Sequence, residues 1–415
     1  MRQLVVNILV VLIIAIAFLF SPQPDERGGL CGYYYELNDY MGFPVNCDAV
    51  GFTNLAQEPQ ALLNKGEARQ GRPVYIWLGI ALGYPVCVFQ ELFAGEELIL
   101  LTEQWNTLKP SNPYYIAFVL INLLVLIVAL HFVWRIAGKL GANSYLTLGI
   151  IVLLLSNGLM KAFFWTAHQQ LFAILVPVLA VYILTDNRIV HSWKNNLVIG
   201  LVGGVGMLLY GNFILLLPCL FIVLFREVLG NKKWLKFLVK TVMGVFIFSA
   251  PMLIWIAFVK SRTGSYYSHE VEQYRQFVWI LDAFAEGAFF KALGSNLGAY
   301  VALFVKTILP WLVVFIILRV VNYILEKKKE KDVQTNLMRW NLLFLFVLFF
   351  VFYALMGFYN ERLTMALYPV TIIMIFFELN QILKYTNKKK LLISALWLTV
   401  IAVFLYQVMS YGPFS

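Results

Sequence analysis

Along most of its 415 residues the sequence alternates short polar stretches with long apolar runs, the majority seventeen residues or more with hardly a charge. Runs of that length match the thickness of a bilayer's hydrocarbon layer and exceed what a soluble core helix needs. Inside hydrocarbon every backbone N–H and C=O must be paired within its own segment, so such runs fold as helices. The spans read as 4–20, 113–134, 144–160, 168–184, 196–210, 213–225, 238–259, 297–321, 340–358, 363–383 and 391–409, about eleven in all. With 61% hydrophobic and 13% charged residues and a mean hydropathy of +0.77, an all-α polytopic membrane protein is expected, one integral-membrane domain over 1–415.

A net charge of +10 would suit nucleic acid only if the basic residues clustered on a soluble surface. They lie instead in the links between apolar runs, so the partner expected is the lipid bilayer and no nucleic acid. Assigning the links alternately to two sides puts 20 of the 32 basic residues with six acids on one side; 11 basic residues and 16 acids fall on the other. Such asymmetry marks the basic side as cytoplasmic. The N-terminus is then cytoplasmic, and 4–20 reads as an uncleaved anchor because SPQPDER, which follows, offers no small-residue cleavage site. Parity holds only if 74–89 lies along the outer interface, which Gly79, Gly83 and Pro85 suit.

The outer face thus receives a first loop over 21–112 with short interfacial helices, a second loop over 260–296, and corners at 161–168, 211 and 359–362. These carry the chemical variety; the inner links, such as EKKKEKD at 326–332, are short and basic. A site is therefore expected on the outer face. Cys31 and Cys47 share the first loop, where a disulfide is one possibility. Cys87 and Cys219 lie in apolar runs and read as small core residues.

Asp48 heads a stretch with Phe52, Leu55, Ala56, Leu62 and Leu63 at helical spacing. A carboxylate there serves either as a reacting group or as a helix cap. Lys306, four residues before Pro310, sits inside the 297–321 run; it reads either as a phosphate contact or as a cation reaching for headgroups. His168 reads either as orienting an acceptor or relaying a proton, or as structural. Aromatic residues crowd the second loop, suited to an interfacial belt or to stacking on sugars and lipid tails. No zinc spacing, Walker motif or nucleotide fingerprint occurs.

An acid soon after the first helix, a short helical stretch GFTNLA, and RPVYIW at 72–77 leading into an apolar helix together resemble the first external loop of the GT-C integral-membrane glycosyltransferases. That superfamily includes the protein O-mannosyltransferases and the lipid A aminoarabinose transferases. The likeness covers about the first 185 residues and the late corner YNERLTMALYP. It implies transfer of a sugar from a polyprenyl-phosphate carrier to a glycan, lipid or protein acceptor, outside a bacterial plasma membrane. On this resemblance Asp48 is the catalytic base. Arg72, Tyr75, His168, Lys306, Glu361 and Arg362 contact substrate, with Arg362 on the lipid phosphate. No cofactor is required; a divalent metal is conceivable but lacks its second acid, since FWTAHQQLF places His168 there. Two alternatives stand beside it: a transporter or lipid flippase with Lys306 and Glu378 on a pathway, and an inactive relative of the same fold.

Overall fold

The computed structural model describes residues 2–23, 32–94, 112–186, 192–231, 233–327 and 333–410. Cys31, His191, Asp25, Glu26 and the basic run 328–332 lie outside the described residues. The helices are α1 (Arg2–Leu19), α2 (Asp48–Gln57), α3 (Pro73–Ala94), α4 (Pro113–Lys139), α5 (Ser144–Leu155), α6 (Gly158–Phe163) and α7 (Phe172–Thr185). There follow α8 (Trp193–Met207), α9 (Leu216–Asn231), α10 (Trp234–Thr263), α11 (His269–Glu272), α12 (Val278–Ala285), α13 (Phe289–Thr307) and α14 (Leu309–Glu326). The last are α15 (Val333–Leu355), α16 (Glu361–Thr364), α17 (Tyr368–Tyr385) and α18 (Lys389–Met409). One antiparallel hairpin, β1 (Gly32–Asn38) with β2 (Met41–Asn46), interrupts the helices between α1 and α2.

Among the described residues nine helices are long and apolar enough to cross a membrane, and α5 and 169–185 are shorter apolar helices. The Gly-rich α8 belongs to neither group, although 196–210 was expected to span. Its glycines serve contact: a Cβ on Gly204 would lie 2.3 Å from the Phe248 carbonyl oxygen, so the backbones of α8 and α10 touch there. A helix apolar on every side belongs in the centre. The span that contains α17 is the most buried of the nine, at 89%, although α17 also carries Glu378, Asn380 and Gln381. The polar groups it carries inward are paired: the Tyr368 hydroxyl donates to the Leu153 carbonyl at 2.7 Å, and the Asn380 amide to that of Leu140 at 2.9 Å.

Residues 297–321, expected as one span, are two helices. Pro310 has no N–H to donate to the Lys306 carbonyl, and the chain breaks at Ile308. Lys306 therefore ends α13 instead of sitting at membrane depth. Its ammonium, half-exposed, pairs with Glu361 at 2.5 Å.

The segment 74–89, expected along the interface, is part of a 22-residue helix that is itself long enough to span. Its direction argues against a return crossing. The Phe118 ring fills the place of a Cβ on Gly79 and the Tyr114 ring that of one on Gly83, so α3 runs antiparallel to the start of α4. α1 is antiparallel to α4 as well. The Trp134 indole of α4 donates to Asn7 near the start of α1; Trp165, in a turn held by Asn122 of α4, donates to the Ala15 carbonyl near its end. α3 thus starts where α1 finishes and points the same way.

Charged groups gather at the two ends of the bundle. At one end Lys139 pairs with Asp186 at 2.8 Å, Glu227 bridges Lys236 and Lys240, and Arg339 joins Glu326 and Glu378. The other end holds the hairpin, α2, α6, α11 and α16. There the buried Lys161 ammonium donates to the Gln407 carbonyl and to Ser410, closing the end of α18, and burial draws it down to about 8. Cys47 is disulfide-bonded, while Cys219 is a buried thiol.

The charge-rich basic end is expected to be the cytoplasmic one. In a background that keeps the Cys47 disulfide, Lys65→Cys should react with an impermeant maleimide on intact cells and Lys388→Cys only after permeabilisation. Labelling of position 388 from outside would reverse the orientation.

Candidate functional site

The site begins with one buried amide. Asn122 of α4, 1% exposed, faces the turn after α6 and directs its amide protons at the carbonyls of Phe163, Phe164 and Thr166, at 2.9, 3.1 and 2.8 Å. The Tyr115 hydroxyl adds a bond to the Trp165 carbonyl at 2.7 Å. The turn so fixed presents two groups. The Thr166 hydroxyl accepts from the Asn46 N–H at 3.1 Å, docking the end of β2. His168, 2% exposed, accepts from the Gln170 N–H through Nδ1 at 3.0 Å. Because Nδ1 accepts, the neutral ring carries its proton on Nε2, which lies 3.3 Å from Asp48 Oδ2. Both nitrogens are engaged, so His168 positions Asp48 and has no nitrogen left to contact a substrate.

Asp48 is not the helix cap. Asn46 Oδ1 accepts the Asp48 N–H at 2.9 Å, and Asp48's own carboxylate turns away to Arg69 at 2.8 Å and to His168. Gly51, one turn later, leaves room for that guanidinium: a Cβ there would stand 2.2 Å from Arg69 Cζ. The guanidinium also lies over the Phe52 ring at 5.2 Å. Burial alone would raise the Asp48 carboxyl. The hydrogen bond from His168 and the charges of Arg69 and Arg72 outweigh it and hold the group well below the usual carboxylate range. Burial pushes His168 the other way, down to about 4; Arg362 and Arg72 reinforce it against the pull of Asp48.

Around this pair a chamber of about 540 Å³ opens. Asp48, Arg69, Arg72, His168 and Arg362 line it, with Tyr210, Asn212, Tyr266 and Glu270 on the facing elements. Arg72 reaches Glu270 of α11 at 2.5 Å. The buried Gln70 ties the same loop down, its Oε1 accepting from the Tyr267 N–H at 3.0 Å and its carbonyl from the Trp255 indole at 2.6 Å. Arg362 ends its approach beside His168 and Tyr210; its Nε is buried with no hydrogen-bond partner. Gln170 fixes the Arg362 backbone, donating to its carbonyl at 3.3 Å and to the Tyr210 hydroxyl at 3.2 Å.

Of the residues singled out from sequence, Asp48, Arg72, His168 and Arg362 meet in this chamber. Tyr75 lies beneath it, fully buried, edge-on to Phe52 at 5.0 Å and tilted on Phe118 at 4.8 Å. Its contribution is packing, of order 2 kcal/mol for a fully buried ring. Lys306 and Glu361 satisfy each other outside the chamber lining. Glu378, 1% exposed, bonds Arg339 and Asn322 at the basic end, where a separate cavity of about 690 Å³ lies. Lys306 and Glu378 line different parts of the bundle, Lys306 beside Glu361 and Glu378 beside Arg339. The residues missed in the sequence are Arg69, Gln170 and Gln70, whose roles depend on contacts 21, 192 and 197 positions away.

A divalent cation does not suit this donor set. Asp48 already accepts from a guanidinium and a ring N–H, and among the described residues no three His, Cys, Asp or Glu side chains converge.

A separate apolar groove of about 450 Å³, sharing no lining residue with the chamber, lies between α9, α10 and α15. Phe344 and Leu348 line the groove, Phe352 and Met356 the chamber. Spaced by four, these residues form one face of α15 about 18 Å long. Phe221 and Val245 leave the groove open to the membrane side, 45% and 42% exposed.

The His168 ring makes stability depend on pH. Its folded value lies below that of the unfolded chain, so between about 6.5 and about 4 the unfolded state takes up a proton that the folded state refuses. Stability present at pH 7 is thus lost as the pH falls through that window, by an amount of order 3 kcal/mol. Thermal unfolding in detergent should show a fall in midpoint from pH 7 to 4.5, smaller in His168→Gln; equal falls in both proteins would remove His168 as the cause.

No protein-family model matches this chain, and no curated protein or solved structure matches it either.

Proposed function

We propose that the protein is an integral-membrane glycosyltransferase that moves a sugar from a polyprenyl-phosphate carrier to a hydroxyl of a glycan, lipid or protein on the outer face of the membrane. The observation that supports this best is the union of two environments on one helix face. A chamber with two carboxylates and three guanidinium groups, and an apolar groove, are both lined by α15. A ligand that is anionic and sugar-bearing at one end and a long hydrocarbon at the other matches both.

The chemistry needs few groups. The acceptor oxygen attacks the anomeric carbon as the bond from that carbon to the phosphate oxygen breaks, and the electron pair leaves on the carrier phosphate. The acceptor's proton goes to Asp48, a partly exposed carboxylate of the chamber lining, while Glu270 is paired with Arg72. A carboxylate held well below its usual range is a weak base at rest. It accepts the proton only once carbon–oxygen bond formation has made the acceptor oxygen acidic. The departing phosphate already leaves well, so no second carboxylic acid is required, unlike glycoside hydrolysis. Fixed positive charge stabilises it, and Arg362, with an unpartnered buried Nε, is the guanidinium best placed. Single displacement inverts the anomeric centre.

Asp48→Asn should lower the transfer rate by about 10²- to 10⁴-fold while leaving the donor KM within a few-fold. Arg362→Ala should raise the donor KM by roughly 10- to 100-fold, the worth of a charged hydrogen bond. Wild-type transfer by the first variant removes Asp48 as base, and an unchanged donor KM in the second removes Arg362 from the phosphate.

A further inference from the structure

We propose that Glu270 is a built-in competitor for the carrier phosphate. Its carboxylate occupies Arg72 in the resting site, gives way as the phosphate gains charge, and returns to expel the spent carrier. This rests on the function proposed above.

Three observations carry it. The first is chemical identity of place: Arg72 and Glu270 both line the chamber, their atoms 2.5 Å apart, and a guanidinium offers a carboxylate and a phosphate the same donors. The second is the distribution of charge. Arg69 is matched by Asp48, Arg72 by Glu270, and Arg362 by no side chain among the described residues. The sugar donor is a phosphodiester with one negative charge, which Arg362 alone balances. Once the glycosidic bond breaks, the carrier is a phosphate monoester with a charge of about −2. The chamber then needs a second cation, and Arg72 is the guanidinium held by a replaceable partner.

The third observation concerns how Glu270 is mounted. α11 buries none of its residues; the loop after α10 is held on either side of it by Tyr266 against the core, by the Tyr274 ring on Phe358 at 4.3 Å and the Phe277 ring on Phe352 at 5.2 Å, and by polar ties. The Tyr267 N–H donates to Gln70 and the Phe277 N–H to the Met356 carbonyl at 3.0 Å. Just beyond α11, Arg275 and Phe277 take left-handed backbone angles, φ 50° and 60°, that non-glycine residues adopt only under constraint. A carboxylate on so lightly packed a helix can withdraw without disturbing the core.

Binding of farnesyl phosphate and of farnesol to the full-length protein in nanodiscs separates the possibilities. Glu270→Gln should bind farnesyl phosphate at least about fivefold more tightly than wild type, and farnesol equally. Adding Arg72→Gln to that variant should erase the gain. Equal or weaker phosphate binding by Glu270→Gln, or an equal gain for farnesol, overturns the competitor role while a wild-type preference for phosphate over alcohol leaves the transferase reading standing. Loss of that preference in wild type overturns both. Inorganic phosphate displacing farnesyl phosphate at equal concentration would make the site one for free phosphate and overturn the lipid carrier. Glu270→Ala, which removes the carboxylate without leaving an amide on Arg72, should gain in the same direction.

Discussion

A single amide inside the bundle underlies the site. Asn122 is surrounded by apolar side chains on α4, where an unpaired polar group costs a few kcal/mol. It is relieved by three carbonyls of one turn, two protons shared among three acceptors. The relief works in both directions, since buried carbonyls also need donors, and that of Thr166 takes the His168 N–H at 2.8 Å besides. Thr166 and His168 ride on that turn, the hairpin docks on Thr166, and Asp48 takes its direction from Asn46 and His168. The position of the carboxylate is thus set through a chain of hydrogen bonds that starts in the hydrophobic interior.

Electrostatics in the chamber follow from that placement. His168 is buried enough to stay neutral at pH 7 and so holds Asp48 as a hydrogen-bond donor, while Arg69 and Arg72 hold it by charge. The result is a carboxylate that remains ionised and faces a cavity with an excess of guanidinium. At the opposite end of the bundle Arg339 is held between Glu326 and Glu378.

Helix content and the separation of charged residues into two ends were legible in the sequence. Apolar length marks spans because hydrocarbon permits little besides helix, and charge asymmetry separates two ends. Asp48, Arg72 and Arg362 stood out because ionisable residues with varied neighbours were confined to a few links. Less legible features depended on long-range contact. The hairpin at Tyr33–Tyr35 carries its pairing in main-chain bonds to 43–45, and three successive tyrosines show no alternation to reveal it. Arg69 reaches Asp48 across a 3₁₀ segment and only because Gly51 makes room. Lys306 looked buried in a span because a lone Pro310 did not, by itself, announce that the helix ends there.

The central claim is that a polyprenyl phosphate lies with its head among Asp48, Arg72 and Arg362 and its tail along α15. Photo-crosslinking tests it most directly, using a polyprenyl-phosphate probe with a diazirine near the middle of its chain in native membranes. The account predicts crosslinks on Phe344, Leu348 or Phe221, lost on competition with unlabelled polyprenyl phosphate. Crosslinks confined to the cavity beside Arg339 and Glu378, or spread over the lipid-facing surface without competition, would contradict it.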